Sequence, residues 1–463
     1  MRSGVSLHID SEHVLLFCDL AVHIADAPAL AAALGAKGHA GIKPCPCCRN
    51  IASSEWAALH DSLEPLTSLD RSKWQLHSDG SVRAILRRLG SAVGVMSRAQ
   101  LEQLERLLGW KYCVHSLLSS AGQAFRPIST LMFDWMHIFV AHGLLEREFD
   151  ILQAHMQRNQ RRFGFMRRLR LYVAQWSFPR QFADATDVFA KNRFSATASQ
   201  QLSVVPVLAK FCRDVLPGHC DANVLLSMLA LCHLVELVRD VSHHNCSPAT
   251  FELATLDFAR KHQNAHGLDH WVFKHHQALH LPAMFRHHNG LLSCFLMERL
   301  HKRVKRFMMG RLHTQSYEHG ILCDVTLMHL HELENSWNKP CMDTTHPVTA
   351  DVAEALRSAF PNAQGISEGA FCRTSKGIQI FRGDTVLTSC GKGVRVCYIF
   401  DIDGAVHVGG IRMDLISTSI HTRSYRLTDA VVLVSLKDVL TTVVQRTSGT
   451  EVTILVPVAF RRG

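Results

Sequence analysis

Residues 24–50 read "IADAPALAAALGAKGHAGIKPCPCCRN", and this stretch decides how the N-terminal part folds. Asp26 ends an apolar run; Pro28, a run of alanines and Gly35 follow. An Asp side chain accepts from the unpaired N–H groups of a first helical turn. Pro is tolerated in that turn, and Gly closes helices in the left-handed conformation. The stretch therefore predicts a strand end and a short helix, with Asp26 as its N-cap and Gly35 near its end. Residues 38–52 then form a Gly/Pro/Cys loop. Upstream, residues 5–9 and 13–25 predict strands. "HVLLFCDLAVHI" is nearly continuous in apolar residues, as in a strand covered on both faces.

The loop carries Cys45, Cys47 and Cys48. The C-x-x-C spacing of Cys45 and Cys48 lets two thiolates of one turn reach one tetrahedral zinc ion. Two further ligands must come from elsewhere, and His60, His77, Cys113 and His115 are the downstream candidates. Buried thiols in a turn are the competing reading.

The chain has 463 residues, enough for two to four domains, and at 47% hydrophobic against 19% charged it can bury a sizeable core. The net charge of +10, with 30 histidines besides, suits a polyanionic partner. The 15 cysteines are an odd number, and "MRSGVSLHIDSEH" has no apolar leader core, so a reducing compartment with free thiols is expected. The longest apolar stretch, "NVLLSMLALCHLVELV", carries His233 and Glu236 and reads as a buried helix, not a membrane span.

From about 79 to 340 the apolar spacing of three and four residues predicts helices, ending at the polar connection "NKPCMDTTHPVTADV". After about 365 the chain becomes a strand meander, with a hairpin at "DIDGAV". The expected fold class is α+β, and the tail is expected as a separate small β domain.

Further residues have chemistry to offer. Asp26 can be a metal-binding carboxylate at a strand end or only a helix cap, and Asp19 competes with it. In "MERLHKRVKRF", Glu298 shares a helix face with His301, Lys302 and Lys305, among Arg299, Arg303 and Arg306. It reads as an acidic metal ligand on a phosphate-contacting helix, or as one member of local ion pairs. In "FDWMHIF", Asp134 and His137 stand at i, i+3 as a ligand pair or as a capped helix start. "QRNQRRFGFMRRLRLYVAQW" interleaves Arg161, Arg162, Arg167 and Arg168 with Phe163, Phe165, Tyr172 and Trp176, a pattern for nucleic-acid backbone and bases or for a plain basic surface. The histidine-rich "FKHHQALHLPAMFRHH" reads as mostly structural and basic.

In this order the pieces resemble the catalytic region of CACTA-type DDE transposases, and most closely a divergent transposase-like group. "IADAPAL" looks like the family's D-x-P-A strand end, and "AKGHAGIKPCPCCRN" like its Lys-Gly segment and C-x-x-C knuckle. "FDWMH" is similar to its D-x-M-H motif, while "KHHQALHLP" and "MERLHKRVKR" resemble its His-rich segment and Glu-Arg-rich helix. The resemblance runs from about residue 4 to the C-terminal strands.

It implies an incomplete RNase H-like core with a large α-helical insertion, followed by the small β domain. The boundaries expected are 1–95 for the partial core with its zinc knuckle and 96–288 for the helical insertion. Residues 289–340 follow as late helices with the Glu motif, 341–364 as a linker with a short helix, and 365–463 as the β-rich domain. Asp26 would be the second metal-binding Asp and Glu298 the Glu of a site that acts on DNA phosphodiesters through Mg²⁺ or Mn²⁺. Cys45 and Cys48 would hold a structural zinc with His77. No residue occupies the position of the family's first Asp, and no domain for reading transposon ends is seen, so the expectation is a truncated or inactive remnant. It would keep metal binding and nonspecific DNA binding through Arg161, Arg162, Arg167, Arg168, Lys302, Arg303, Lys305 and Arg306. A nuclear location, no membrane and an optional homo-oligomer complete this reading. The alternatives are an active nuclease with a site rebuilt from Asp10, Asp19 or Asp134, a non-enzymatic zinc-containing module, and a product without function.

Overall fold

The computed structural model describes residues 5–9, 12–16, 21–113, 116, 125–182, 185–189, 193–194, 196–241, 246–295, 304–305, 317–334, 341–343, 346–375, 377–458 and 461. The fold is mixed α/β, and the chain divides into two compact units. The first takes residues 1–144 and 247–295, the second 145–246 and 296–463. This division cuts across the blocks expected from the sequence.

In the first unit, Val5–Ile9 and Glu12–Leu16 form an antiparallel pair running from Val5 opposite Leu16 to Ile9 opposite Glu12. The single strand expected over 13–25 is instead two strands with different partners. His23–Ala25 leaves this hairpin and pairs in parallel with Leu131–Phe133, with Ala25 opposite Phe133. A parallel pair needs a long crossover, and residues 26–130 supply it. The described residues of this unit hold one further short pair, Ile51–Ala52 with Glu64–Pro65, and no larger sheet joining the three.

The helix Ala27–Leu34 follows the first parallel strand as the sequence predicts. Asp26 Oδ1 accepts from the Ala29 amide at 2.8 Å, Pro28 sits in the first turn, and Gly35 closes the helix at φ 72°. A Cβ at Gly35 would stand 2.6 Å from the Lys111 carbonyl oxygen, so that position needs glycine for space as well as for φ. Asp79 Oδ1 accepts from the Ile128 and Ser129 amides, and its other oxygen from the Ser129 hydroxyl, which fixes the approach to the second parallel strand. The helix Phe273–His288 packs on that strand, on the short helix Trp135–Phe139 and on the helix Pro248–His266.

The second unit joins the helices Ala198–Val215 and Ala222–Val241, packed on one another, to a nine-stranded sheet in its C-terminal part. Its central strands Gly393–Ile402, Ala405–Thr418 and Thr422–Ser435 form an antiparallel meander. The hairpin expected at "DIDGAV" is present. Ile402 pairs with Ala405 around Asp403 and Gly404, both at positive φ, as a two-residue primed turn requires. The β tail is bonded to the helical segment of its own unit. Ser177 and Gln445 exchange backbone hydrogen bonds at 2.7 and 3.1 Å, and Arg461 forks onto Glu236 at 2.7 and 3.0 Å. No helix among the described residues is long and apolar enough to cross a membrane.

Candidate metal centre

The C-x-x-C segment is pinned in place by its neighbours. The Cys48 amide closes a turn onto the Cys45 carbonyl at 3.3 Å. The His77 amide donates to the Cys47 carbonyl at 2.8 Å, and the Arg49 amide to the Gln75 carbonyl at 2.7 Å. Residues 75–77 thus act as a backbone splint for the knuckle. Across from it, the helix Phe273–His288 places His276 and His280 one turn apart on one face.

These four side chains converge. Cys45 Sγ lies 3.4 Å from His280 Nε2, and Cys48 Sγ lies 3.3 Å from His280 Nε2 and 3.6 Å from His276 Nε2. The two Nε2 atoms are 3.1 Å apart. A tetrahedral zinc with bonds of about 2.3 Å to sulfur and about 2.05 Å to nitrogen has edges of about 3.6 Å between S and N, and about 3.3 Å between two N. Each of these four edges falls within about 0.3 Å of those values. The donor set, two thiols and two imidazoles, is one that zinc takes in closed structural sites.

The surroundings are dry. Cys48 and His276 are fully buried, and Cys45 and His280 nearly so. Trp74 packs on both imidazoles, with ring centroids 4.7 and 5.0 Å away, and Phe133 meets His280 edge-on. Burial pushes the Cys45 thiol up, but hydrogen bonds from the Cys47 and Cys48 thiols and the charge of His280 and His276 outweigh it and bring Cys45 well below the usual thiol value. Cys48 is raised, by donating to Cys45 and by burial. Burial lowers His276, against the opposite pull of Cys45, and it is the neutral ring that binds metals.

His77, expected as a further ligand, is outside this converging set. Its ring Nδ1 bonds the Ser81 hydroxyl at 3.0 Å and its edge meets Trp110, so its contribution to the knuckle is its backbone. His276 and His280 are the residues that sequence reasoning set aside as structural and basic. The signal that points to them is the H-x-x-x-H spacing, which puts both rings on one helix face.

A second constellation lies at the ends of the parallel strands. Asp26 and Asp134 are each the first residue beyond the paired positions Ala25 and Phe133. Both line a cleft of about 260 Å³ with His137, His142, Lys274 and Gln277. Asp134 is buried, and its Oδ1 accepts from the Met136 amide at 3.1 Å and the Cys294 amide at 3.0 Å. Its Oδ2 bonds His137 Nδ1. Burial pushes the Asp134 carboxyl up, but bonds from His137 and from the Cys294 amide and thiol hold it below the usual range. Glu298 lies outside the described residues, as do Asp10, Asp19, Lys302, Arg303 and Arg306.

The arginine-rich segment keeps only half of its expected pattern. Arg161, Arg162, Arg167 and Arg168 are exposed, and so is Lys305. Phe163, Phe165 and Trp176 are buried, because the helix Phe165–Val173 turns its apolar face inward. Arg168 lies over the Phe163 ring at 4.7 Å and donates to the Phe163 carbonyl at 2.8 Å. Those aromatics serve packing, not base stacking.

No protein-family model, curated protein or solved structure matches the chain.

Proposed function

We propose that the chain is a transposase-derived DNA-binding protein whose first unit is organised by a structural zinc ion on Cys45, Cys48, His276 and His280. The observation that carries the zinc is the fit of four of the ligand edges to those of a tetrahedron. Four protein ligands in a buried setting leave no position for substrate, so the ion's role is to join the knuckle to a helix more than two hundred residues away in sequence. Transposase descent rests on the order of the sequence motifs, and an RNase H-like ancestry is compatible with a hairpin followed by a parallel strand with Asp26 just beyond its end. DNA binding rests on the net charge and the outward arginines of 161–168. The full chain, purified without chelator, should carry zinc. It should lose its cooperative unfolding transition on chelation, and retain duplex DNA in low salt while metal-loaded. Zinc-free protein of unchanged stability ends the first claim, and a chain that ignores DNA at low salt ends the second.

A metal-dependent nuclease is the second reading. It is favoured by one observation, the register that places Asp26 and Asp134 side by side at the same strand edge.

A further inference from the structure

We propose that Asp134, His137 and Cys294 form a second metal site, for a divalent ion of the zinc class, with its fourth position turned to the cleft at the strand ends. One carboxylate oxygen, one imidazole nitrogen and the Cys294 sulfur lie within 4.8 Å of one another, and two of the three residues are buried. They come from two pieces of backbone far apart in sequence. Asp134 follows the second parallel strand, His137 is on the first turn of Trp135–Phe139, and Cys294 arrives from 160 residues further along.

Helix capping does not explain this arrangement. The cap needs only Oδ1, which takes the Met136 amide. That same oxygen also takes the Cys294 amide, which draws the 291–294 loop over the strand end and brings a thiol to the carboxylate. With Oδ1 held by two amides, Oδ2 is the oxygen left to face His137 and a metal, and such backbone bonds orient ligating carboxylates in metal sites. The mixed O, N and S donors choose the ion. A thiolate disfavours Mg²⁺ and Ca²⁺, whereas one carboxylate, one imidazole and one thiolate suit Zn²⁺ or Co²⁺. Binding would release the Cys294 thiol proton and the proton shared by His137 and Asp134.

Three protein ligands leave one position for an exogenous oxygen, which is the pattern of sites that act on or bind small ligands. Asp134 and His137 both line the cleft, and so does Lys274, whose ammonium donates to the His142 carbonyl at 2.6 Å. That cation favours an anionic oxygen, hydroxide or a phosphate or carboxylate oxygen, in the fourth position. The site shares no ligand with Cys45, Cys48, His276 and His280, and it does not rest on the reading of that cluster.

The full chain is stripped of metal and titrated with Co²⁺, with Zn²⁺ stoichiometry measured in parallel. The expected result is that Cys294→Ser binds one ion fewer than the unsubstituted chain and lacks one of its two thiolate-to-cobalt absorption components. Cys48→Ser should lose the other component and keep the one that depends on Cys294. Asp134→Asn keeps a capping side chain, so it tests the ligand apart from the fold; it should weaken the same ion at least tenfold. Equal stoichiometry and spectra in the unsubstituted chain, Cys294→Ser and Asp134→Asn overturn the proposal.

Discussion

His276 Nε2 and His280 Nε2 face each other across 3.1 Å, and both face Cys48 Sγ. Two imidazole nitrogens at that separation either share one N–H···N hydrogen bond or turn both lone pairs to a cation, and the Cys48 sulfur beside both is the third donor such a cation would take. The relationship predicts that Cys48→Ser and His276→Ala each release zinc and lower the unfolding midpoint, by about 10 °C if roughly 3 kcal/mol is lost. His77→Ala should keep the zinc. Metal analysis and calorimetry of the three variants check this, and zinc loss in His77→Ala with retention in His276→Ala reverses the ligand assignment.

Gly35 gives a second expectation. At φ 72°, with the Lys111 carbonyl oxygen 2.6 Å from where a Cβ would sit, Gly35→Ala combines backbone strain with a clash. It should cost about 1–3 kcal/mol in urea denaturation. Asp26→Ala, which removes one capping bond, should cost about 1 kcal/mol and leave zinc content unchanged. A Gly35→Ala protein as stable as its parent contradicts the left-handed cap.

These local features were legible because short-range rules govern them. Asp26, Pro28 and Gly35 announce the helix they bound, Asp403-Gly404 announces its turn, and Cys45 and Cys48 announce half a metal site. The other half was not legible, because what selects His276 and His280 is packing across 228 and 232 residues from Cys48, and a histidine-rich helix offers five rings without saying which pair faces inward. Cys294 gave no signal for the same reason. The aromatic residues of 161–176 left two readings open, since their spacing serves an amphipathic helix as well as it serves base stacking.

His23 makes the first unit sensitive to acid. Burial, and then the nearby His288, lower its ring from 6.5 to about 4, with Asp79 acting weakly the other way, and its Nδ1 meets the Thr130 hydroxyl at 2.9 Å. The folded pKa lies below the unfolded one, so the unfolded chain takes up the proton first. The contribution is therefore present above pH 6.5 and is lost as pH falls toward about 4. Denaturation curves between those limits should decline less steeply for His23→Gln than for the parent. Identical slopes would remove His23 from the account.

DNA binding, if it runs through the exposed arginines, must be salt-sensitive. Each phosphate contact removed should lower the slope of log affinity against log salt by about 0.9. A charge-reversed set at Arg161, Arg162, Arg167 and Arg168 should weaken binding to every duplex sequence alike and flatten that slope. Unchanged affinity and slope would leave these residues a solubility role.

The last expectation concerns cleavage. Mg²⁺ and Mn²⁺ chemistry on phosphodiesters needs carboxylates that present oxygens to hard ions. Asp26 spends Oδ1 on the Ala29 amide, and the Asp134 carboxylate is bonded to two amides, an imidazole and a thiol, a setting for a softer ion. The full chain should therefore produce no nicking of supercoiled DNA and no strand transfer with Mg²⁺ or Mn²⁺ at neutral pH. Nicking that depends on either ion, and that disappears in both Asp26→Asn and Glu298→Gln, would establish the nuclease reading with Asp26 and Glu298 in its site.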